Sequence, residues 1–361
     1  MATPQNDITA INNYAGQYES RIRTSIFTDL DIANDLNLIT NLTSARILPK
    51  YKANDGLRPY DPDVTEPDGT SGVFSKRNIE PRTGMKILKV VPEELRKTFL
   101  SEQLRANAKD YPGGFAQYFW DEQIKKQKAE INNNSYMGVD GQGVPAYDPS
   151  VSYTVGARML FTDRSYYSCI VATTAAQTPV THPAKWLKVN NSSITKGLGV
   201  IIAEEYAGLP TRNKIATGTL DATNTFDKVT NFYLSLPEEI RAAGGIIRCS
   251  QGTYDNYNMS ALAKFQNGTS FLDVQNAGKI IGKSILGSDG KFILKPASWM
   301  SGSKRLIADI NQNLYMGTDL VSDLTGIGPM IPNIHGYSCK MQMILAYQIA
   351  DLEILFVNDQ A

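Results

Sequence analysis

Two histidines, three cysteines and a few clustered acids are the first places to look for chemistry in this 361-residue chain. His182 and His335 have no carboxylate at a spacing that suggests a proton relay, so both read as loop histidines and not as an acid–base pair. Cys169, Cys249 and Cys339 are far apart, odd in number and free of any C-x-x-C spacing, which predicts buried thiols in a reducing compartment rather than a zinc site or a disulfide framework. Asp309, Asp319 and Asp323 are weak candidates for a cation site and suit turn caps better. The run Gly278-Lys279-Ile280-Ile281-Gly282-Lys283-Ser284 ends like a phosphate-binding loop. That loop needs four residues between its glycines, and this run has three, inside a β-branched stretch. The N-x-[ST] triplets at Asn41, Asn190, Asn191, Asn258 and Asn267 are what an Asn-rich chain gives by chance. No nucleophile elbow and no H-E-x-x-H pair occurs. The chain reads as a protein that is not an enzyme and uses no cofactor and no metal.

Composition points the same way. Lys plus Arg and Asp plus Glu number 36 each, a net charge of zero. A dedicated nucleic-acid binder carries a basic excess, whereas neutrality suits a protein that packs beside copies of itself. The polar start, Met1-Ala2-Thr3-Pro4-Gln5-Asn6-Asp7, lacks the apolar core of a signal peptide, and no apolar run approaches the ~20 residues that span a bilayer. A soluble, cytoplasmically made protein of two or three folding units is expected.

The elements come in a defined order. Residues 1 to about 27 are polar and form an arm, followed by a helical pattern from Asp29 to Arg46 through Leu30, Ile32, Ala33, Leu36, Leu38, Ile39 and Leu42. From Asn54 to Gly72 the chain is rich in Pro, Asp and Gly, and Val73 to Val91 reads as two extended pieces around Glu80-Pro81-Arg82-Thr83-Gly84. This excursion is either a disordered surface loop or an extended hairpin that finds its core on a neighbouring molecule. A short helix from Pro92 to about Ala108 precedes a long one from about Phe115 to Asn132, with Phe115, Tyr118, Phe119, Ile124 and Ile131 on one face, Lys125, Lys126 and Lys128 toward water, and the Asn132–Asn134 run with Gly138 to Gly143 ending it. Helices follow at Ile194–Tyr206, Phe226–Ala243 (restarted at Pro237-Glu238-Glu239) and Tyr254–Phe265, with a buried strand at Ile246–Ser250. Strands occupy Lys279–Ile285, Lys291–Leu294 and Arg305–Asp309. In the last long strand Cys339, Met341, Met343, Leu345, Tyr347 and Ile349 share a face, and Leu352–Val357 closes its sheet. The class is α+β.

Between the long helix and the next, Tyr147 to Val189 reads as a small all-β module: short aromatic and β-branched stretches alternating with Pro, Asp and Thr turns, with charged, helix-forming sequence on either side.

This order of elements resembles the major capsid protein of tailed bacteriophages, a fold shared with encapsulin shells. Ser75–Pro81 through Pro92–Leu95 looks like the extension loop and Phe115–Asn132 like the spine helix. Lys228–Tyr254, with Leu236-Pro237-Glu238-Glu239-Ile240-Arg241, is similar to the helix-then-strand of the axial domain, and Asn313–Leu320 with the long strand resembles the closing stretch of the peripheral domain. The resemblance implies an arm and helix at 1–50, an extension loop at 51–92, a peripheral domain with spine helix at 93–144, and the inserted module at 145–190. Beyond it come an axial domain with returning peripheral segments at 191–335 and terminal peripheral strands at 336–361. It further implies hexamers and pentamers in an icosahedral shell, a virion location with assembly in the host cytoplasm, and enclosed double-stranded DNA without sequence-specific binding. A portal, scaffold or decoration proteins would be partners, and no membrane. In the extension loop the acids Asp61, Asp63, Glu66 and Asp68 come early and the bases later, so Lys76, Arg77, Glu80, Arg82, Lys86 and Lys89 are the expected contacts between subunits. A nanocompartment shell of encapsulin type is the alternative; a secreted glycan-active enzyme carrying a binding module is a more distant one.

The module itself resembles short chitin-binding modules. Tyr147 stands at the opening aromatic, Tyr153-Thr154-Val155-Gly156 at Tyr-x-x-Gly, Tyr167 on the second strand, and Pro183, Trp186 and Val189 at the closing turn. Ala157 replaces the family's Asp, and Val171 and Ala172 stand where its sugar-stacking aromatics belong. Stacking on a sugar needs a flat ring, so Tyr147, Tyr153, Tyr167 and Trp186 are expected to form the module's own core more than a glycan site. Decoration of the shell or contact with a neighbouring subunit is the expected role, with a host-surface glycan as secondary ligand.

Overall fold

The computed structural model describes residues 31–54, 72–90, 112–138, 140, 144–163, 165–190, 194–265, 272–276, 279–310, 312–319, 331–334 and 336–360. The expected arm, the Pro/Asp-rich stretch at 55–71, the expected Pro92–Ala108 helix, His335 and Asp323 lie outside them, as do the side chains of Phe115, Tyr118 and Phe119.

The described residues open with α1 (Asp31–Asp35) and β1 (Asn37–Ile39), then β2 (Arg46–Ala53), β3 (Gly72–Ile79), β4 (Arg82–Val90) and the long α2 (Pro112–Met137). The module contributes β5 (Arg158–Leu160), β6 (Tyr166–Cys169) and β7 (Trp186–Asn190). Next come α3 (Leu198–Glu205), β8 (Lys214–Ile215), α4 (Thr225–Leu234), α5 (Glu238–Ala243), β9 (Gly245–Cys249) and α6 (Gln251–Lys264). The rest is strands: β10 (Asp273–Asn276), β11 (Lys279–Ser284), β12 (Phe292–Pro296), β13 (Ile307–Asp309), β14 (Leu314–Thr318), β15 (Ile331–Asn333), β16 (Gly336–Ile349) and β17 (Phe356–Asn358).

The first sheet is built on β16, with β14 and β15 along one side, β1 beyond β14, and β4 along the other side. The alternation read from the sequence holds: Cys339, Met341, Leu345, Tyr347 and Ile349 are buried on one face, in a core with Trp120, Ile124 and Ile131 of α2. Buried positions Trp120, Ile124, Gln127, Ile131 and Asn134 recur every three or four residues, the stripe of a helix lying on a sheet. The helix does not stop at the Asn132–Asn134 run. It continues to Met137 because tertiary contacts hold its last turn: Ser135 Oγ donates to the Asn132 carbonyl at 2.6 Å, the Tyr136 ring lies 6.1 Å from that of Trp299, and Ser303 Oγ donates to the Tyr136 hydroxyl at 3.0 Å. Such packing outweighs the weak helix preference of Asn and Ser. The expected helix over Asp29–Arg46 shrinks to α1. Its apolar run Leu38-Ile39 instead pairs parallel with β14, Leu38 opposite Met316, since a short apolar run fits either element until a partner strand decides.

The second sheet runs β10-β11-β12-β9-β13-β17-β8. Helices α4 and α6 cover one face through Phe226, Val229, Phe232, Tyr257 and Ala261, against Ile247, Cys249, Phe292, Leu294 and Phe356. Ser250 caps α6, accepting from the Thr253 amide. The stretch after β16 does not close the first sheet, as expected for Leu352–Val357. It crosses over, and β17 pairs with β13 and β8. The Asn213 side-chain amide directs the crossing by donating at 2.9 Å to the carbonyls of Leu352, Glu353 and Leu355.

Candidate assembly surfaces

Two excursions leave this body. The first is the β2–β3 arm, whose antiparallel register runs from Arg46 opposite Ile79 to Ala53 opposite Gly72. Directly opposed residues share a face, so Leu48, Lys50, Lys52, Arg77 and Ile79 form one side and Ile47, Pro49, Tyr51, Phe74 and Lys76 the other. The first side grips the body. Leu48 and Ile79 are buried with Leu42 and Ala346. Arg77 donates to Glu205 and, at 2.9 Å, to Gln348, which in turn donates to the Asn78 carbonyl at 2.7 Å. Lys50 lies 2.7 Å from Asp351 and 3.1 Å from Glu353, and Lys52 3.3 Å from Glu353. Partial burial works against the Lys50 charge, yet these hydrogen bonds raise its pKa above the ordinary lysine value, while those from Lys50 and Lys52 hold the Glu353 carboxyl below the usual range.

The second side of the arm is turned outward. Phe74 is 79% exposed and Tyr51 and Ile47 about half, with the Tyr51 and Phe74 rings 4.5 Å apart. Gly72 makes that ring pair fit, because a Cβ there would lie 2.4 Å from the Tyr51 ring.

The open face of the first sheet is similar. On β4 the residues turned away from α2 are Thr83, Met85, Ile87 and Lys89, and Met85 and Ile87 are 68% and 65% exposed. Ile87 stands opposite Lys340, and Lys89 opposite Ser338, which also faces the exposed Ile331 of β15. The result is an apolar sheet face edged by two lysines.

Of the residues expected to make contacts between subunits, Lys76 and Lys89 lie on these two surfaces and are exposed. Arg77 is committed to the body. Glu80 and Arg82 flank the turn between β3 and β4, 3.8 Å apart, and Arg82 is also 3.5 Å from Asp140. Lys86 is on the α2 side, opposite Met341. Ile47, Tyr51, Phe74, Met85 and Ile87 are not among the contacts expected from the sequence. Strand alternation was there to see, but with lysines on the gripping face it does not tell which face is turned out.

The second excursion is the module. Met159, Cys169 and Trp186 are its buried centre, and Tyr147, Tyr153, Phe161 and Tyr167 pack around them. Tyr147 stacks on Tyr153 at 5.6 Å, Tyr153 meets Trp186 edge-on at 5.3 Å, and Phe161 meets Tyr147 and Tyr167 edge-on at 5.5 and 6.0 Å. The Trp186 indole N–H donates to the Gln177 carbonyl at 3.0 Å. The four aromatics named from the sequence are thus brought together. Ile170, Val171 and Ala172 are exposed, and no ring stands there. The ends of the excursion meet: the Gly197 amide donates to the Gly138 carbonyl at 2.8 Å, and a Cβ on Gly197 would lie 2.5 Å from the Tyr136 carbonyl oxygen.

Among the described residues no helix is long and apolar enough to cross a membrane, and no three His, Cys, Asp or Glu residues are grouped as a metal site. Cys169, Cys249 and Cys339 are buried and form no disulfide, and burial pushes the Cys249 thiol far up. Asp309 is paired with Arg248. His182 receives or donates a 2.9 Å hydrogen bond with Thr181 on the module surface.

No family model and no curated protein matches the sequence. Solved structures do match. A chain of the satellite phage P4 procapsid aligns with a TM-score of 0.50 over 99% of this chain and 97% of that one, at 10% identity. The capsid of Myoviridae phage XM1 aligns at 0.45 over 91% of each chain with 10% identity, and the holo-SrpI encapsulin complex of Synechococcus elongatus at 0.45 over 92% and 88% with 8% identity. The chain has the α+β fold of phage major capsid proteins.

Proposed function

We propose that this protein is a major capsid protein that self-assembles through hexamers and pentamers into the icosahedral shell around the genome of a tailed bacteriophage. The observation that carries this reading is the β2–β3 arm: one face is ion-paired to its own body, and the other presents Ile47, Tyr51 and Phe74 to solvent. An apolar strand face of this kind is normally covered, and a second copy offers a matching surface in Met85, Ile87 and Ile331. Many modest contacts of this sort, repeated around a closed lattice, give a stable shell. Zero net charge suits such packing. Enclosed double-stranded DNA, a portal, and scaffold or decoration proteins complete the assembly in the virion. The module is displayed on the shell as decoration or as a further contact between subunits; its lack of exposed rings at Val171 and Ala172 makes glycan adhesion secondary.

Electron microscopy of the purified protein, with extraction of nuclease-protected nucleic acid from particles made in cells, tests the proposal. Closed particles of uniform size containing DNA are expected. A protein that stays monomeric under all assembly conditions overturns it, and particles filled with a protein cargo move it to a nanocompartment.

A further inference from the structure

Between the two cores lies a cluster of four charges, three of them buried and the fourth, Lys295, partly exposed. Arg248 on β9 and Lys295 on β12 are direct neighbours across the strands. They project from the face of the second sheet opposite Ile247 and Cys249, and so toward the first core. Arg248 is ion-paired with Asp309, which also accepts from the Asn313 amide at 2.9 Å. Lys295 is ion-paired with Asp35, the last residue of α1, whose side chain is 3% exposed. Asp35 holds two further partners: its other carboxylate oxygen accepts from the Trp299 indole N–H at 3.0 Å, and its carbonyl accepts from Arg248 at 2.6 Å. Two cations and two anions balance. Ile32 and Leu36, on either side of Asp35, are buried in the first core. One short strap therefore enters the first core with its apolar residues and holds the second sheet with its carboxylate.

We infer that α1 is a releasable clasp, with Asp35 as its catch, that sets the second half of the molecule against the first. A buried ion cluster is a poor way to make a permanent seam, because apolar residues of the same volume often hold one at least as well. Its advantage is that ions rehydrate when parted, so a charged seam opens and recloses where an apolar seam is held shut by exclusion of water. The inference rests on the shell reading for its use: a subunit placed in both hexamers and pentamers has to adjust the set of its two halves. The clasp itself is a property of the single chain.

Hydrogen exchange of the full-length chain tests it, comparing wild type with Asp35→Asn and Lys295→Met. Release predicts that amides of α1, β1 and the Ala297–Met300 turn exchange at least about tenfold faster in both variants, while those of α4 and α6 stay within about twofold. Unchanged rates overturn the inference, and so does an equal acceleration of every slow amide, which means only that the fold is weaker. Faster exchange in α1 alone also overturns it, because the strap would then fray without loosening the joint. Should Asp35→Asn not fold, Lys295→Met carries the comparison, since its side chain is 30% exposed; failure of both to fold marks a fixed structural node. A wild-type chain that forms no particles sinks the shell reading and leaves this measurement standing.

Discussion

The β2–β3 arm and the inserted module leave the same body, and they bury their apolar side chains in opposite ways. The module turns Met159, Cys169 and Trp186 inward and surrounds them with its own aromatics, so its core is complete. The arm has two strands and therefore no inside. It holds to the body through Leu48, Ile79 and a row of cations, and leaves Phe74, Tyr51 and Ile47 outward. A two-stranded ribbon is marginal alone in water, so this arm depends on what covers it. In the proposed shell, the dependent excursion is the one that contacts between subunits would use, and the self-sufficient one is an addition.

The largest effect expected from this contrast comes from Phe74→Asp. A carboxylate at the centre of the outward face has to be desolvated at every contact in the lattice. Particle yield measured by sedimentation should fall by about 100-fold or more, while monomer stability changes by less than about 0.5 kcal/mol, as for an exposed site. Normal particles from this variant would show that the outward face is not a contact and would remove the difference between the two excursions.

Next in size is Trp186→Ala. Removing the largest side chain of a core this small costs about 3–5 kcal/mol, enough to unfold the module. Calorimetry should then show the body melting as before, with the module's transition gone. A body that melts earlier by a similar free energy would mean that the two share a core.

How much of this could be seen beforehand depends on how local each signal is. Alternation at Cys339, Met341, Leu345, Tyr347 and Ile349 and the helical stripe at Ile124 and Ile131 are local, and both elements are legible in the sequence. The module is legible for the same reason: its core lies within about forty residues of chain. What stayed hidden depends on partners far away in sequence. The last turn of α2 is held by Trp299 and Ser303, and Leu38 becomes a strand only beside Met316. The outward face of the arm is set by Asp351, Glu353 and Glu205, which pull its cations inward. A lysine on a strand ordinarily marks the wet face; Lys50 and Lys52 mark the docked one.

Two smaller perturbations act on that docked face. Arg77→Ala leaves Glu205 and Gln348 without their donor and should loosen β3 by about 1–2 kcal/mol, given the partial exposure of the pair, read as faster exchange in β2 and β3 with the module unchanged. Acid should do less. A carboxyl held low, as Glu353 is, stabilises the docked arm fully above its ordinary value of 4.5, and that contribution is lost as pH falls through the depressed value. Because the pair with Lys52 is largely exposed, protection of β2 relative to intrinsic exchange should drop only about two- to fivefold between about pH 6 and about pH 3, and less in high salt. An arm that loosens as pH rises instead would mean that other groups hold it.

The smallest effect should come from the largest change, replacing residues 144–190 with a Gly/Ser linker of about four residues. Gly138 and Gly197 are joined by a backbone hydrogen bond, so the body already brings the two ends together without help from the module. Asp140, beside Arg82, and Ile194, in the first core's margin, are retained. A shorter connection also has less closure entropy to lose, and body stability should move by less than about 1 kcal/mol in denaturant titration. The assembly result then separates the two roles proposed for the module. If particles form as before, the module is decoration and the outward arm is sufficient for the lattice. If the body folds and particles fail, the module, with Val155, Ile170, Val171 and Leu187 exposed, is itself a contact, and it joins the arm as a part that one subunit holds out to the next.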